Sequence, residues 1–195
     1  MELSWLVVPV AYVIGTFPTA QIIGWFVGHD PTAEGSKNPG ASNMFRVAGR
    51  WAGVVVLLGD VCKAAIPALI GLWLGGRPLA AAAGAAAMLG HVFPMKRGFR
   101  GGRGVATFGA TCLVLWPIVS LSALALWAVL VRVTGRASVG SLIGSLTIVA
   151  GVAVTGRPGW EIAVAATMAA VVILRHRENV ARLLRREETS IHKGS

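Results

Sequence analysis

The chain has 195 residues, enough for one domain spanning 1–195, with 55% hydrophobic and only 13% charged residues and a mean hydropathy of +0.69. A soluble globule of this size needs a more polar surface, so that class is excluded. The net charge of +10 would suit nucleic acid, but the basic residues lie in short gaps between long apolar runs, which is how membrane topology is encoded, and no nucleic-acid partner is expected.

A bilayer core of ~30 Å needs ~20 apolar residues in a helix. The first such run covers 4–27; the segment before it carries Glu2 and no positive charge, so it reads as a retained span rather than a cleaved leader. Further runs follow at 51–75, 79–95, 138–155 and 159–174. The stretch 105–131 would run ~40 Å as one helix. Pro117 near its middle removes a backbone hydrogen bond, which leaves one kinked helix or two shorter ones.

Charge selects two helices, and hence an all-α bundle of seven transmembrane helices with its N-terminus outside and its C-terminus cytoplasmic. One face then collects 15 basic residues in 28–50, 96–104, 132–136 and the tail through Lys193, while the other keeps 2, Arg77 and Arg157. That split obeys the positive-inside rule. Cys62 and Cys112 sit inside apolar runs without metal or redox spacing, and no metal site is expected. Glu161, at an outer span end, is expected to be solvated.

Three polar segments share the basic face. The first, Gly35–Arg46 (GSKNPGASNMFR), packs glycines, Ser36, Lys37, Asn38, Gly40, Asn43 and Arg46 into twelve positions. Glycines let amides approach an anion, Ser and Asn donate hydrogen bonds, and Arg grips a phosphate through two parallel bonds, so an anion site is favoured over a plain polar turn. The second, Gly90–Thr107, sets Gly101, Gly102 and Gly104 around Arg103 before an apolar helix, whose N-terminus offers amides and a positive dipole end. It is no Walker loop, because GxxxxGK[ST] is absent; Lys96, Arg97 and Arg100 read as headgroup anchors. The third, Arg175–Glu188 (RHRENVARLLRREE), puts His176 and Asn179 three apart on one helix face, where His exchanges protons near neutral pH and Asn can orient a hydroxyl. Within the second span, Asp60 and Lys63 can pair three residues apart; such intramembrane charges serve either a substrate or the orientation of the bundle.

Taken in order, these segments resemble the acyl-phosphate-dependent glycerol-3-phosphate acyltransferase family (PlsY). The matching stretches are AYVIGTFPTAQIIG, GSKNPGASNMFR, GHVFPMKRGFRGGRGVAT and RHRENVARL, from about Ala11 to the C-terminal tail. The resemblance implies transfer of a fatty acyl group from acyl phosphate to the 1-hydroxyl of glycerol 3-phosphate, giving lysophosphatidate and phosphate. It implies Ser36 and Arg46 as essential residues, Lys37, Asn38, Gly40 and Asn43 as the rest of the first motif, and Gly101, Gly102, Arg103 and Gly104 as the phosphate-binding loop. His176 and Asn179 match the third motif, His176 as general base or orienter. Asp60 and Lys63 are further candidate substrate-binding residues. Three positions depart from the family pattern: Lys37 stands for Gly, Ser42 for Thr, and Arg103 for Lys.

Acyl phosphate is already activated, so no cofactor is expected; the partners would be the two substrates and membrane lipids. A monomer in a bacterial cytoplasmic membrane, its active site facing the cytoplasm, fits. The HxxxxD acyltransferase pattern is absent, since His91 is followed five residues on by Lys96. Two rivals explain less. An anion transporter would place its charges near the midplane in repeated halves, and a structural subunit would leave the dense motifs without a purpose.

Overall fold

Pro18 has no backbone N–H to donate and crowds Phe17 out of helical geometry, so the first apolar run cannot be one regular helix. The computed structural model describes residues 3–188 and 190 and breaks the run there. A 3₁₀ turn (Leu3–Leu6) and α1 (Val7–Gly15) are followed, after Thr16–Pro18, by α2 (Thr19–Val27). Glu2 and Lys193 lie outside the described residues. A loop then leads to α3 (Ala41–Val47), α4 (Gly49–Val92), a 3₁₀ turn (Met95–Arg97), α5 (Val105–Leu115), α6 (Pro117–Thr134), α7 (Ala137–Val154), α8 (Gly159–Arg175) and α9 (Arg177–Leu184). No strand occurs among the described residues.

With 44 residues, α4 would reach ~66 Å as a straight rod, over twice a bilayer core. It is not straight. Gly75 and Gly76 leave helical geometry, Gly76 at φ 69°, a region only glycine enters freely. A Cβ on Gly71 would lie 2.8 Å from the Leu79 carbonyl oxygen. Residues eight apart on a straight helix are ~12 Å apart, so the chain doubles back at the glycine pair. The two spans expected at 51–75 and 79–95 are thus the arms of one hairpin.

The stretch 105–131 is divided between two helices, with the break at Trp116. Pro117 is where its missing N–H costs nothing, in the first turn of α6. Among the described residues, four helical runs are long and apolar enough to cross a bilayer: Leu3–Val27, Gly49–Arg97, Pro117–Thr134 and Ala137–Val154. The pair α8–α9, bent by 55°, gives a fifth when counted as one span, and α5 is shorter at 11 residues.

The chain divides into two compact units, Met1–Leu115 and Trp116–Ser195. In the first, the core is a seam of alanines, Ala11, Ala64, Ala83, Ala86, Ala87 and Ala110. Gly15 of α1 lies so close to Ala87 of α4, and Gly90 so close to Tyr12, that a Cβ at either glycine would run into a backbone carbonyl. Two tryptophans point the other way: Trp51 is 78% and Trp73 84% exposed. Alanines inside and tryptophans outside invert the arrangement of a soluble protein and suit lipid surroundings.

In the second unit Ser138, Ser141 and Ser145 form a buried stripe along α7, and the Trp127 indole donates to the Ser141 hydroxyl at 3.4 Å. Glu161 corrects an expectation. It is buried, 2% exposed, and accepts a 2.6 Å hydrogen bond from the Trp116 indole. It stands in the first turn of α8, where the helix dipole favours a carboxylate and a buried acid needs such a donor.

Candidate active site

The first motif is built around one amide. Asn43, on α3 and 1% exposed, donates through Nδ2 to the carbonyls of Pro31 and Glu34, both at 3.0 Å, and accepts from the Ser36 N–H at 2.9 Å. Both Nδ2 hydrogens and one lone pair of Oδ1 are engaged, so Asn43 pins the loop from Pro31 to Ser36 onto α3. Gly35 has to be glycine twice over: φ is +59°, and a Cβ would press on the Asn43 side-chain oxygen Oδ1. The loop has its own ties. Thr32 donates to Asp30 through N–H (2.8 Å) and hydroxyl (2.6 Å), and His29 meets Glu34 at 2.8 Å. The Thr32 bonds hold the Asp30 carboxyl below its ordinary pKa, and the His29 bond does the same for Glu34.

With the loop so fixed, the half-buried Ser36 and Arg46 meet: Arg46 Nη2 donates to Ser36 Oγ at 3.0 Å. A hydroxyl and a guanidinium on one pinned loop form a compact donor pair for a phosphate or a developing oxyanion. Lys37 and Asn38 flank them, Lys37 exposed and Asn38 half-buried, and Gly40 gives α3 its extended N-cap.

The glycine turn follows the second arm of α4. The Gly101 and Gly102 N–H groups donate to the carbonyls of Val92 and His91, each at 3.1 Å. Those two amides therefore face α4. The donors left for an anion are those opening α5, whose first amides have no carbonyl partner within the helix, next to the half-buried Arg103. Gly104 makes the turn into α5 at φ +85°.

Asp60 and Lys63 are both buried, at 3% and 6% exposure, and pair at 2.6 Å. Lys63 Nζ also donates to the Phe17 carbonyl at 3.3 Å, and Arg97 donates to the Thr16 carbonyl at 2.9 Å. The carbonyls freed by the Pro18 break thus find cations, as at a helix C-terminus. Sequence pattern missed His91, whose Nδ1 lies 3.7 Å from Asp60 Oδ1. The two residues are 31 apart and meet only because α4 folds back on itself.

In the second unit His176 marks the corner between α8 and α9 and is 2% exposed. Its Nδ1 lies 2.8 Å from the Val172 carbonyl, which can only accept, so Nδ1 carries a proton, and in the neutral form of the ring the lone pair is on Nε2. Asn179, 1% exposed, donates to Glu188 at 2.5 Å, and its Oδ1 has no hydrogen-bond partner among the described residues. Arg182 Nε reaches the same carboxylate at 2.8 Å. Burial pushes the Glu188 carboxyl up, but the bonds from Asn179 and Arg182 outweigh it and hold the pKa below the usual 4.5. Sequence reading passed over Glu188; the available signal was an acid closing a run of arginines.

A family model described as glycerol-3-phosphate acyltransferase matches residues 5–186. The chain belongs to the glycerol-3-phosphate acyltransferase family. Among curated relatives with that name, the protein of Thioalkalivibrio sulfidiphilus is 40% identical over 93% of this chain and 90% of its own length. That of Methylococcus capsulatus is 39% identical over 98% of both. The crystal structure of PlsY, an integral membrane glycerol 3-phosphate acyltransferase, in its glycerol 3-phosphate form matches with a TM-score of 0.92 at 32% identity, covering 96% of this chain and 94% of that one. The lysophosphatidic acid form matches with a TM-score of 0.88. The chain is accordingly a membrane protein of the PlsY fold. Lys37, which stands where the family motif has Gly, sits at φ +54°, the region that favours glycine.

Proposed function

We propose that this chain transfers a fatty acyl group from acyl phosphate to the 1-hydroxyl of glycerol 3-phosphate, opening phospholipid synthesis. The observation that carries this is the Ser36–Arg46 pair on a loop pinned by Asn43, in a chain so close to PlsY in its glycerol 3-phosphate form.

The chemistry asks little covalent work of the protein. The acceptor hydroxyl attacks the acyl carbonyl, the carbon–oxygen bond to phosphate breaks, and inorganic phosphate leaves with the electron pair. Ser36 and Arg46 stabilise the charge that develops, and Lys37, Asn38 and Gly40 complete that anion-binding loop. Arg103 and the opening turn of α5, shaped by Gly101, Gly102 and Gly104, bind the phosphate of glycerol 3-phosphate. His176, with its lone pair directed to Nε2 by Val172, takes the hydroxyl proton or orients the hydroxyl while the acceptor's own phosphate takes it. The buried Oδ1 of Asn179, left without a partner among the described residues, accepts from that hydroxyl. The Asp60–Lys63 pair supports substrate binding from within the bundle, as argued below.

The 15 to 2 distribution of basic residues supports seven spans with the N-terminus outside, the C-terminus inside and the site open to the cytoplasm of a bacterial cell. We take the whole chain, 1–195, as one catalytic domain acting as a monomer.

Phosphate release from palmitoyl phosphate by the purified protein, with and without glycerol 3-phosphate, tests the proposal. Release that depends on glycerol 3-phosphate, yields lysophosphatidate and disappears in Arg46→Ala is expected. Release with another phosphorylated alcohol only would move the acceptor. No release with any acceptor from folded protein would overturn acyl transfer.

A further inference from the structure

A buried set of charges in the first unit includes one motif residue to which no role has been given, His91. Asp60, Lys63 and His91 are each at most 6% exposed, and all belong to α4, the first two on one arm and His91 near the end of the other. Carrying two charges and an imidazole inside a membrane bundle is costly, and a buried ion pair by itself is weak evidence of stabilisation. The contacts of His91 show what the cost obtains. One edge of its ring, at Nδ1, faces Asp60 at 3.7 Å. The opposite edge occupies the space a Cβ on Gly102 would need, its Nε2 and Cε1 being the nearest atoms. The His91 carbonyl accepts from the Gly102 N–H at 3.1 Å and stands where a Cβ on Gly101 would go. The glycine turn thus rests on His91 by ring and by backbone together, and His91 rests on the Asp60–Lys63 pair.

We propose that His91 is a positioning residue for the acceptor phosphate: the Asp60–Lys63 pair holds its ring, and the ring sets how closely the Gly101–Gly104 turn lies against the end of α4, and so where Arg103 and the opening of α5 stand. This rests on the assignment of that turn to glycerol 3-phosphate made above. It gives the two glycines a purpose apart from exposing amides, since both amides are already spent on α4. It also places the function of the intramembrane pair in the binding of a substrate it need not touch.

Five variants test it: His91→Gln, the apolar double variant Asp60→Leu/Lys63→Met, Gly102→Ala, His91→Ala, and the last two combined. Replacing both charges at once avoids stranding a buried charge, so this variant is expected to fold even if either single substitution does not. The KM for glycerol 3-phosphate is expected to rise about tenfold in His91→Gln and in the double variant. The KM for palmitoyl phosphate should hold, and kcat should stay within about threefold. Gly102→Ala should be far less harmful once the ring is removed by His91→Ala, a non-additivity expected only if the two occupy one space. Hydrogen exchange at the Gly101 and Gly102 amides should quicken in His91→Gln, and this readout needs no activity. Folded variants with an unchanged KM for glycerol 3-phosphate, strictly additive effects of His91→Ala and Gly102→Ala, or unchanged exchange would overturn the inference. Wild-type protein without acceptor-dependent release would instead sink the acyltransferase assignment and leave the exchange result to decide the positioning.

Discussion

Arg46 donates a hydrogen bond to Ser36 across ten residues of chain, and the distance of 3.0 Å is set by neither of them. It follows from Asn43, which holds the Ser36 backbone by its own side chain one helical turn before Arg46. Arg46→Lys keeps a cation but loses the planar fork, and should lower kcat/KM for acyl transfer by about a hundredfold, with a normal melting temperature. Asn43→Ala would strand the Ser36 amide and two carbonyls and should lower stability by about 2–4 kcal/mol. Thermal melts in detergent run alongside the kinetics separate the two effects.

Lys37 is exposed and sits at φ +54°, a backbone conformation that costs an L-residue about 1–2 kcal/mol. Lys37→Gly removes that strain at the expense of a more flexible unfolded chain. A net rise of about 2 °C in melting temperature is expected. A fall would mean that Lys37 makes contacts worth more than the strain. Activity at saturating substrate should survive, because Ser36 and Arg46 keep their places.

How much of this was legible in the sequence depends on the range of the interaction. Pro117 announced the break between α5 and α6, and the small-residue composition announced close helix packing, because both act locally. The glycine pair at 75–76 was passed over as a hinge, although the two spans on either side of it were found. The pairing of Asp60 with Lys63 follows from a spacing of three on one helix. His91 was out of reach, since its approach to Asp60 depends on the hairpin. Glu161 was misjudged because a carboxylate at a span end looks solvated until the Trp116 indole, 45 residues away, is seen to cover it. The motif residues were found by resemblance, yet the amides of Gly101 and Gly102 turn toward α4, which no pattern of letters could show.

His176 has its Nδ1 committed to the Val172 carbonyl, so its chemistry passes through Nε2. His176→Ala should cut kcat by about 10²–10⁴ if the ring takes the proton. His176→Gln keeps a hydrogen-bonding group without a base of comparable strength. Recovery of more than a tenth of the activity in that variant would assign the ring to orienting the hydroxyl and the proton to the acceptor's phosphate. Burst measurements of phosphate release, which isolate the chemical step, are the appropriate readout.

Glu188 gives a pH dependence with a definite sign. Its carboxyl is held below the ordinary 4.5 in the folded chain by Asn179 and Arg182, although burial alone would raise it. A group depressed in the folded state stabilises it fully above the unfolded pKa and loses that contribution as pH falls through the lower, folded value. Glu188→Gln should therefore melt below the wild type at pH 7, and the gap should close as pH drops beneath 4.5. Because Asn179 is fixed by the same carboxylate at 2.5 Å, acid should also weaken acyl transfer in wild type before it unfolds the chain. A gap that stays constant from pH 7 down through that window would show that Glu188 acts by packing alone and not by its charge.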